Sequence, residues 1–280
     1  MPIQTVAIVG VGLIGGSFAL ALRASGFSGR ILGVSSPRTL DAALKREVID
    51  EGLPIAEAVP QADLVYLSQP ISRILDILPR VRELAKPSAL VTDAGSTKAQ
   101  IVEQAARHFN ENPWFLGGHP MAGKEKRGVE LAGAGLFQDA TYVLTPAGGK
   151  LPEATIIAEF VRYLEEIGSR VSVMPADEHD RIVAWTSHLP QLISTALAAA
   201  IADGLDEQDS SDVAGPALRD MTRLGESSFE MWRDVLGTNQ TNVRQALDAY
   251  IQRLERLRQD AGGPLTEQEF EKAGIFRNNQ

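Results

Sequence analysis

The sequence predicts an α/β fold in two parts, a mostly parallel sheet covered by helices over residues 1–175 and an all-helical part over residues 176–280. Three observations carry this. Short β-branched runs alternate with helix-period segments up to about residue 175, the pattern of βαβ crossovers that cover both faces of a parallel sheet. A glycine-rich turn follows the first run and opens a helical segment. Beyond Pro175 the β-branched clusters stop and a 3.6-residue apolar period takes over.

In chain order, Val6–Val9, Ile31–Val34, Leu64–Leu67, Leu90–Thr92, Phe115–Leu116, Tyr142–Leu144 and Val171–Val173 read as strands. Gly15–Ser25, Leu40–Lys45, Ile71–Leu84, Lys98–Phe109 and Glu153–Ile167 read as the helices between them. In the second part Asp177–Trp185 leads into Leu192–Ile201, with Pro190 between them, where a missing N–H should kink or restart the helix. Val213–Leu224 follows. Val243, Leu247, Tyr250, Leu254 and Leu257 then form one apolar stripe, with Arg244, Arg253, Glu255, Arg256 and Arg258 off it. Such a stripe is either ordinary core or a seam against a second subunit. Asp206–Asp212 reads as an acidic loop, and Ala261–Gly263 with Pro264 as a break before a C-terminal tail.

The 280 residues suit two domains at about 150 residues each. Lys and Arg number 27 against 36 Asp and Glu, a net charge of −9. Nucleic-acid affinity comes from basic side chains on phosphates, so this balance argues against a nucleic-acid partner and against a polybasic membrane anchor. The absence of cysteine excludes a disulfide framework, a thiolate zinc site and a cysteine nucleophile. No apolar run approaches the roughly 18 residues of a membrane helix. Met1 leads almost at once into Ile3–Val9 without a basic n-region or a cleavage site, so a cytoplasmic location is expected.

Gly10-Val11-Gly12-Leu13-Ile14-Gly15 fits the G-x-G-x-x-G pattern, directly after a strand and at the start of a helix. That context makes it a Rossmann-type dinucleotide-binding turn. Gly10 permits the tight turn, Gly12 admits a pyrophosphate, and Gly15 lets the helix pack on the strand, with its N-terminal N–H groups facing the anion. An NAD site normally places a carboxylate after the second strand. Here Ser35, Ser36 and Arg38 stand in that place, and no acid appears before Asp41. Two hydroxyls and a guanidinium suit a 2′-phosphate, so NADP is the expected cofactor, with NAD as the alternative. Pro70 and Asp93, past the next two strands, complete the cofactor-binding candidates.

Of four histidines, His108 sits late in a helix as a surface or dipole partner, and His179 reads as part of a helix start. His119 differs. It follows a strand within Gly117-Gly118-His119-Pro120, where ligands of such sheets bind, and its ordinary pKa near 6.5 suits a general base. Ser96, in Asp93-Ala94-Gly95-Ser96-Thr97-Lys98, either caps the next helix or hydrogen-bonds a substrate hydroxyl. Lys98 offers electrostatic support or is surface charge. His188, just before Pro190, is a pocket residue or a core histidine. Arg219 and Arg223, four apart on one helix face, either bind a carboxylate bidentately or are solvated.

Taken together, the Gly10–Ser17, Asp93–Lys98, Gly117–Gly123, Glu178–Asp180, Ser187–Pro190 and Arg219–Arg223 segments resemble the prephenate/arogenate (cyclohexadienyl) dehydrogenase family of tyrosine biosynthesis. The resemblance covers roughly residues 5 to 255. It implies NAD(P)-dependent oxidative decarboxylation of a cyclohexadienol by a homodimer joined through its helical domains. Carried over residue by residue, it makes His119 the base on the C4 hydroxyl and Ser96 its positioning partner. Arg223 becomes the carboxylate clamp and His188 a wall of the substrate pocket, with Arg219 and Lys98 as further substrate-binding candidates. The missing ribose-binding acid departs from the NAD-type members. Residues beyond about 260 resemble no regulatory domain. A β-hydroxyacid or imino-acid dehydrogenase is the competing enzyme class, but the β-hydroxyacid enzymes use a lysine in the helical half and none occurs from 176 to 271. A non-catalytic dinucleotide-binding protein predicts no convergent base, serine and arginine.

Overall fold

The computed structural model describes residues 2–109, 112–124, 128–206 and 214–279. Eight strands form one sheet in the order β3-β2-β1-β4-β5-β6-β7-β8. They are β1 Thr5–Val9, β2 Arg30–Val34, β3 Glu51–Gly52, β4 Leu64–Leu67, β5 Leu90–Asp93, β6 Trp114–Pro120, β7 Thr141–Thr145 and β8 Arg170–Val173. All neighbouring pairs are parallel except β6–β7. The strand order reverses between β1 and β4, which opens a crevice outside their carboxyl ends.

Both faces of the sheet are covered, and alternate residues serve opposite sides. Val6 and Ile8 of β1 join one core with Phe18, Tyr66, Tyr142 and Phe160, while Ala7 and Val9 join the other with Leu67, Ile74 and Leu78. Burial on both sides is why these strands read as unbroken apolar runs. Phe18 stacks on Tyr66 with ring centroids 4.1 Å apart, tying the first helix to the middle of the sheet. The covering helices are α1 Leu13–Ala24, α2 Pro37–Lys45, α3 Ile55–Ala58, α4 Ile71–Leu84, α5 Ala99–Ala106 and α6 Thr155–Glu166. Two strands depart from expectation. The two-residue β3 is too short to show a pattern, and β6 continues through Gly117-Gly118 as far as Pro120, beyond the apolar pair that marked it.

Helices alone follow β8: α7 Ala176–Val183, α8 Leu189–Gly204, α9 Pro216–Thr222, α10 Phe229–Thr238, α11 Gln240–Gln259 and α12 Pro264–Asn278. At Pro190 the helix restarts, one of the two outcomes expected there. A π-helical turn, Ala184–His188, carries α7 into α8, and Pro190 occupies the first turn of α8, where its missing N–H leaves no bond unmade. The expected helix at Val213–Leu224 is shorter, ending at Thr222 and tightening into a 3₁₀ turn at Arg223–Glu226. Val213 and most of the expected acidic loop, residues 207–212, lie outside the described residues. The C-terminal tail is itself a helix. Asp260 caps it, accepting the N–H groups of Leu265 at 2.6 Å and Thr266 at 3.2 Å, so Pro264 starts a helix here.

The α11 stripe is core only where it begins. Val243 is buried, whereas Leu254 is 46% exposed, and Phe270 and Phe276 of α12 are 74% and 67% exposed. Among the described residues, no helix is long and apolar enough to cross a membrane.

Candidate active site

The turn between β1 and α1 has the geometry its glycines suggested. Gly10 has φ +102°, and a Cβ there would stand 2.7 Å from the Ser68 carbonyl oxygen. A Cβ on Gly15 would run into the Gly10 carbonyl and Ile8, so only glycine lets α1 lie this close to β1. Gly12 is the opposite case. A Cβ there meets nothing within 4 Å, so the backbone borders open space. No side chain caps the N-terminus of α1, which leaves its first N–H groups to that space. Leu13 is buried and Ile14 half-buried behind them. The buried Gln69 Oε1 beside this turn has no protein partner. An uncapped helix end, a clear approach at Gly12 and an orphaned acceptor fit a dinucleotide whose pyrophosphate sits on α1.

Past β2, Ser35 is half-buried and Arg38 exposed. Ser36 caps α2, its Oγ accepting the Thr39 N–H at 3.3 Å, so part of its hydrogen-bonding capacity is used within the chain. Pro70, exposed, precedes the first residue of α4.

Two expected roles change at the ends of β5 and β6. Lys98 and Asp93 are completely buried, paired with each other, and Lys98 Nζ also donates to the Gly118 carbonyl at 2.8 Å. Asp93 accepts the N–H groups of Gly95 at 2.8 Å and Gly118 at 3.2 Å. The ammonium of Lys98 therefore does not reach a substrate, and the Asp93 carboxylate does not reach a cofactor. Together they pin β6 to β5 beneath the site. Burial pulls the Lys98 pKa below its ordinary value, against the opposing pull of Asp93.

His119, at the end of β6, is half-buried and has its Nδ1 2.8 Å from Nε2 of His179 on α7. His179 Nδ1 is in turn 2.8 Å from Asp180 Oδ1. Asp180 also accepts the main-chain N–H groups of Lys98 at 2.7 Å and Ala99 at 2.9 Å, where α5 begins. A carboxylate accepts, so a neutral His179 donates from Nδ1 and has its lone pair on Nε2. His119 must then donate from Nδ1, which leaves its Nε2 unprotonated. Burial, with the positive charge His179, Lys98 and His188 would add, holds the His119 pKa well below 6.5.

This histidine borders a cavity of about 410 Å³ between the carboxyl ends of β5 and β6 and the helical part. Ser96, His119, His188, Gln191, Leu224 and Trp232 are among its walls. His188 is 1% exposed, and burial lowers its pKa to about 4. Arg223 and Arg219 do not belong to that lining. Both are exposed, Arg219 donating to the Ala214 carbonyl at 3.4 Å, while Leu224, next to Arg223, does line the cavity.

Residues 18–173 match the family model described as the prephenate dehydrogenase nucleotide-binding domain, and residues 175–263 match the prephenate dehydrogenase dimerization domain. The chain belongs to the prephenate dehydrogenase family. It is 32% identical over 257 residues to a prephenate dehydrogenase of Lactococcus lactis, covering 91% of this chain and 70% of that relative. The solved prephenate dehydrogenase from A. aeolicus, in complex with hydroxyphenyl propionate and NAD+, superposes with a TM-score of 0.90 at 32% identity, covering 100% of this chain and 99% of that one. Synechocystis arogenate dehydrogenase superposes at 0.82 with 32% identity over 98% and 99% of the two chains.

Sequence reasoning treated His179 as structural and singled out neither Trp232, Gln191 nor Asn239. The pair His179-Asp180 carried the one usable signal, a histidine beside an acid at a helix start. Asn239 joins the network only through folding, 59 residues along the chain from the Asp180 carbonyl that it meets at 2.7 Å.

Proposed function

We propose that this chain is a cytoplasmic biosynthetic enzyme, an NAD(P)-dependent dehydrogenase that oxidatively decarboxylates prephenate, arogenate or both. The products are 4-hydroxyphenylpyruvate or tyrosine, with CO₂. The observation that carries the reading is the Asp180–His179–His119 chain, which ends in an unprotonated Nε2 at a cavity, in a chain that also carries a dinucleotide-binding turn. His119 Nε2 takes the proton from the ring hydroxyl, and Ser96, on the same cavity, orients that hydroxyl. A bound nicotinamide supplies the acceptor for the hydride leaving the ring carbon. The carbinol becomes a ketone, and loss of CO₂ then aromatises the ring. His179 and Asp180 keep His119 in the tautomer that can accept.

Arg223 is assigned the substrate carboxylate, because it adjoins a residue of the cavity wall and a guanidinium matches a carboxylate in geometry. Ser35 and Arg38 favour NADP over NAD. The working unit is a homodimer joined through the helical domains, which is supported by the exposed apolar side chains of α11 and α12. The test is direct. The purified chain is supplied with prephenate or arogenate and either cofactor, and reduced nicotinamide and CO₂ are followed. Equal yields of both are expected with at least one substrate. Absence of both products with either substrate overturns the reading.

A further inference from the structure

Asn239 lies buried at the corner between α10 and α11, 4% exposed, with no catalytic part in the mechanism above. Its side-chain nitrogen is 2.7 Å from the Asp180 carbonyl oxygen and 3.3 Å from Nδ1 of His188, and its Oδ1 accepts from Asn242 at 2.7 Å. A main-chain carbonyl can only accept. The amide must therefore turn its NH₂ toward Asp180, whatever the state of the histidine. The second hydrogen of that NH₂ meets His188 Nδ1, which must then be an acceptor. A neutral imidazole carries one proton, so in His188 it sits on Nε2, on the ring edge away from Asn239. The Trp232 ring stands edge-on to His188, with centroids 5.9 Å apart and planes at 84°, and restrains the remaining rotation.

We infer that Asn239 is a positioning residue that fixes His188 as a neutral Nε2–H donor on the cavity wall, for a carboxylate or keto oxygen of the substrate. The two histidines of the site are thereby held in opposite tautomers. His119 presents a lone pair to the cavity, and His188 presents a proton. One residue ties both arrangements together, since Asn239 also holds the main chain of Asp180, whose carboxylate sets His179 and through it His119. The charged and titratable groups around His188 are Asp180 and His179, whereas Asn239, Asn242 and Trp232 are neutral.

The substrate side of this inference rests on the proposed activity, but the tautomer is read without substrate. With four histidines in the chain, long-range ¹H–¹⁵N spectra of the full-length protein at neutral pH can be assigned by single histidine substitutions. The expected result is His188 protonated on Nε2 alone. Asn239→Asp replaces a donor by an acceptor, so the His188 proton should move to Nδ1. The KM for the substrate that is turned over should then rise roughly ten- to a hundred-fold, the worth of a hydrogen bond to a charged group. That change should exceed the change in kcat and leave the Kd for NADP unaltered. Asn239→Ala, the second variant, should give a mixture of the two tautomers. A wild-type His188 protonated on Nδ1, or an Nε2–H that persists in both variants, overturns the inference. A confirmed tautomer in a chain that turns over neither prephenate nor arogenate refutes the proposed activity and leaves the positioning role standing.

Discussion

The two halves of the molecule hold their functional side chains by different means. In the nucleotide-binding half the sheet does it. His119 lies at the end of β6 and Ser96 follows β5, and the buried Lys98–Asp93 pair locks β6 onto β5 directly below them. In the helical half the work falls to hydrogen bonds between helix ends. Asp180 accepts the first N–H groups of α5, and Asn239 joins α11 to α7. Apolar burial is correspondingly incomplete there. Of the fourteen large apolar side chains left exposed among the described residues, ten lie beyond residue 175. The cavity thus has a wall fixed by packing and another fixed by polar joints, and the second half carries apolar surface suited to another copy of the chain.

Breaking the packed side of this comparison should have the largest effect. His119→Asn keeps the shape of the site but removes the base, so turnover should fall roughly 10²- to 10⁴-fold while NADP affinity holds, as steady-state rates and a cofactor titration would show. Activity within a few-fold of wild type would reject the assignment. The pH profile sharpens the point. A base whose pKa is held below 6.5 stays unprotonated as pH falls through 6.5, so kcat/KM should stay level there and decline only at distinctly lower pH. Stability behaves similarly. The folded-state pKa of His188 is lowered to about 4, so its contribution is complete above about pH 6.5 and is lost as pH falls toward 4.

On the helical side, Ile251→Glu together with Phe270→Glu places two charges on exposed apolar surface. The dimer dissociation constant should rise by more than about a hundred-fold, because burying an unpaired charge costs several kcal/mol. Sedimentation at graded concentration reads this out. An unchanged dimer would show that α11 and α12 face solvent.

The parts of the fold that were legible in the sequence are those that local chemistry decides. Doubly buried strands show as β-branched runs, and the Gly10–Gly15 turn shows because no other residue fits at Gly10 and Gly15. β6 was cut short at Leu116 because Gly117 and Gly118 have no strand propensity. They are strand residues because β5 and β7 leave no room for a side chain; a Cβ on Gly118 would lie 2.8 Å from the Asp93 carbonyl oxygen. The surface alternative for Lys98 fails for a related reason. A lysine reads as solvent-seeking unless its buried partner is known, and Asp93 becomes that partner only after β5 turns into α5. Asn239 and His188 illustrate the same limit, since 51 residues separate the two ends of a single hydrogen bond.

A smaller effect tests the rim of the cavity between the halves. Arg223→Ala should raise the substrate KM roughly ten- to a hundred-fold, the value of charge-assisted bonds to a carboxylate, with the Kd for NADP unmoved. Arg223→Lys should rescue poorly, because an ammonium does not reproduce a planar fork. An unaltered KM in the alanine variant returns Arg223 to surface charge, and substrate recognition would then fall to polar residues of the cavity lining such as His188 and Gln191.

The smallest expected effect belongs to cofactor choice, back on the packed half but at its solvent edge. Ser36 spends its Oγ capping α2, accepting the Thr39 N–H, so it is a weaker phosphate donor than its position alone suggested. Arg38 is exposed in the first turn of α2, and Ser35 precedes the cap. A 2′-phosphate there would meet the guanidinium, one uncommitted hydroxyl and the positive end of a helix dipole, all of them weakened by solvent. Arg38→Ala should therefore cost NADP about ten-fold in affinity, within the range of one charge-assisted bond, and leave NAD nearly unchanged. Raising the salt concentration should narrow the gap between the two cofactors in the wild type and have little effect in the variant, because screening acts on the charge that the variant lacks. Fluorescence titration of both cofactors at two ionic strengths decides it. A wild-type preference for NAD, or equal losses for the two cofactors, would mean that the residues after β2 do not read the phosphate at all.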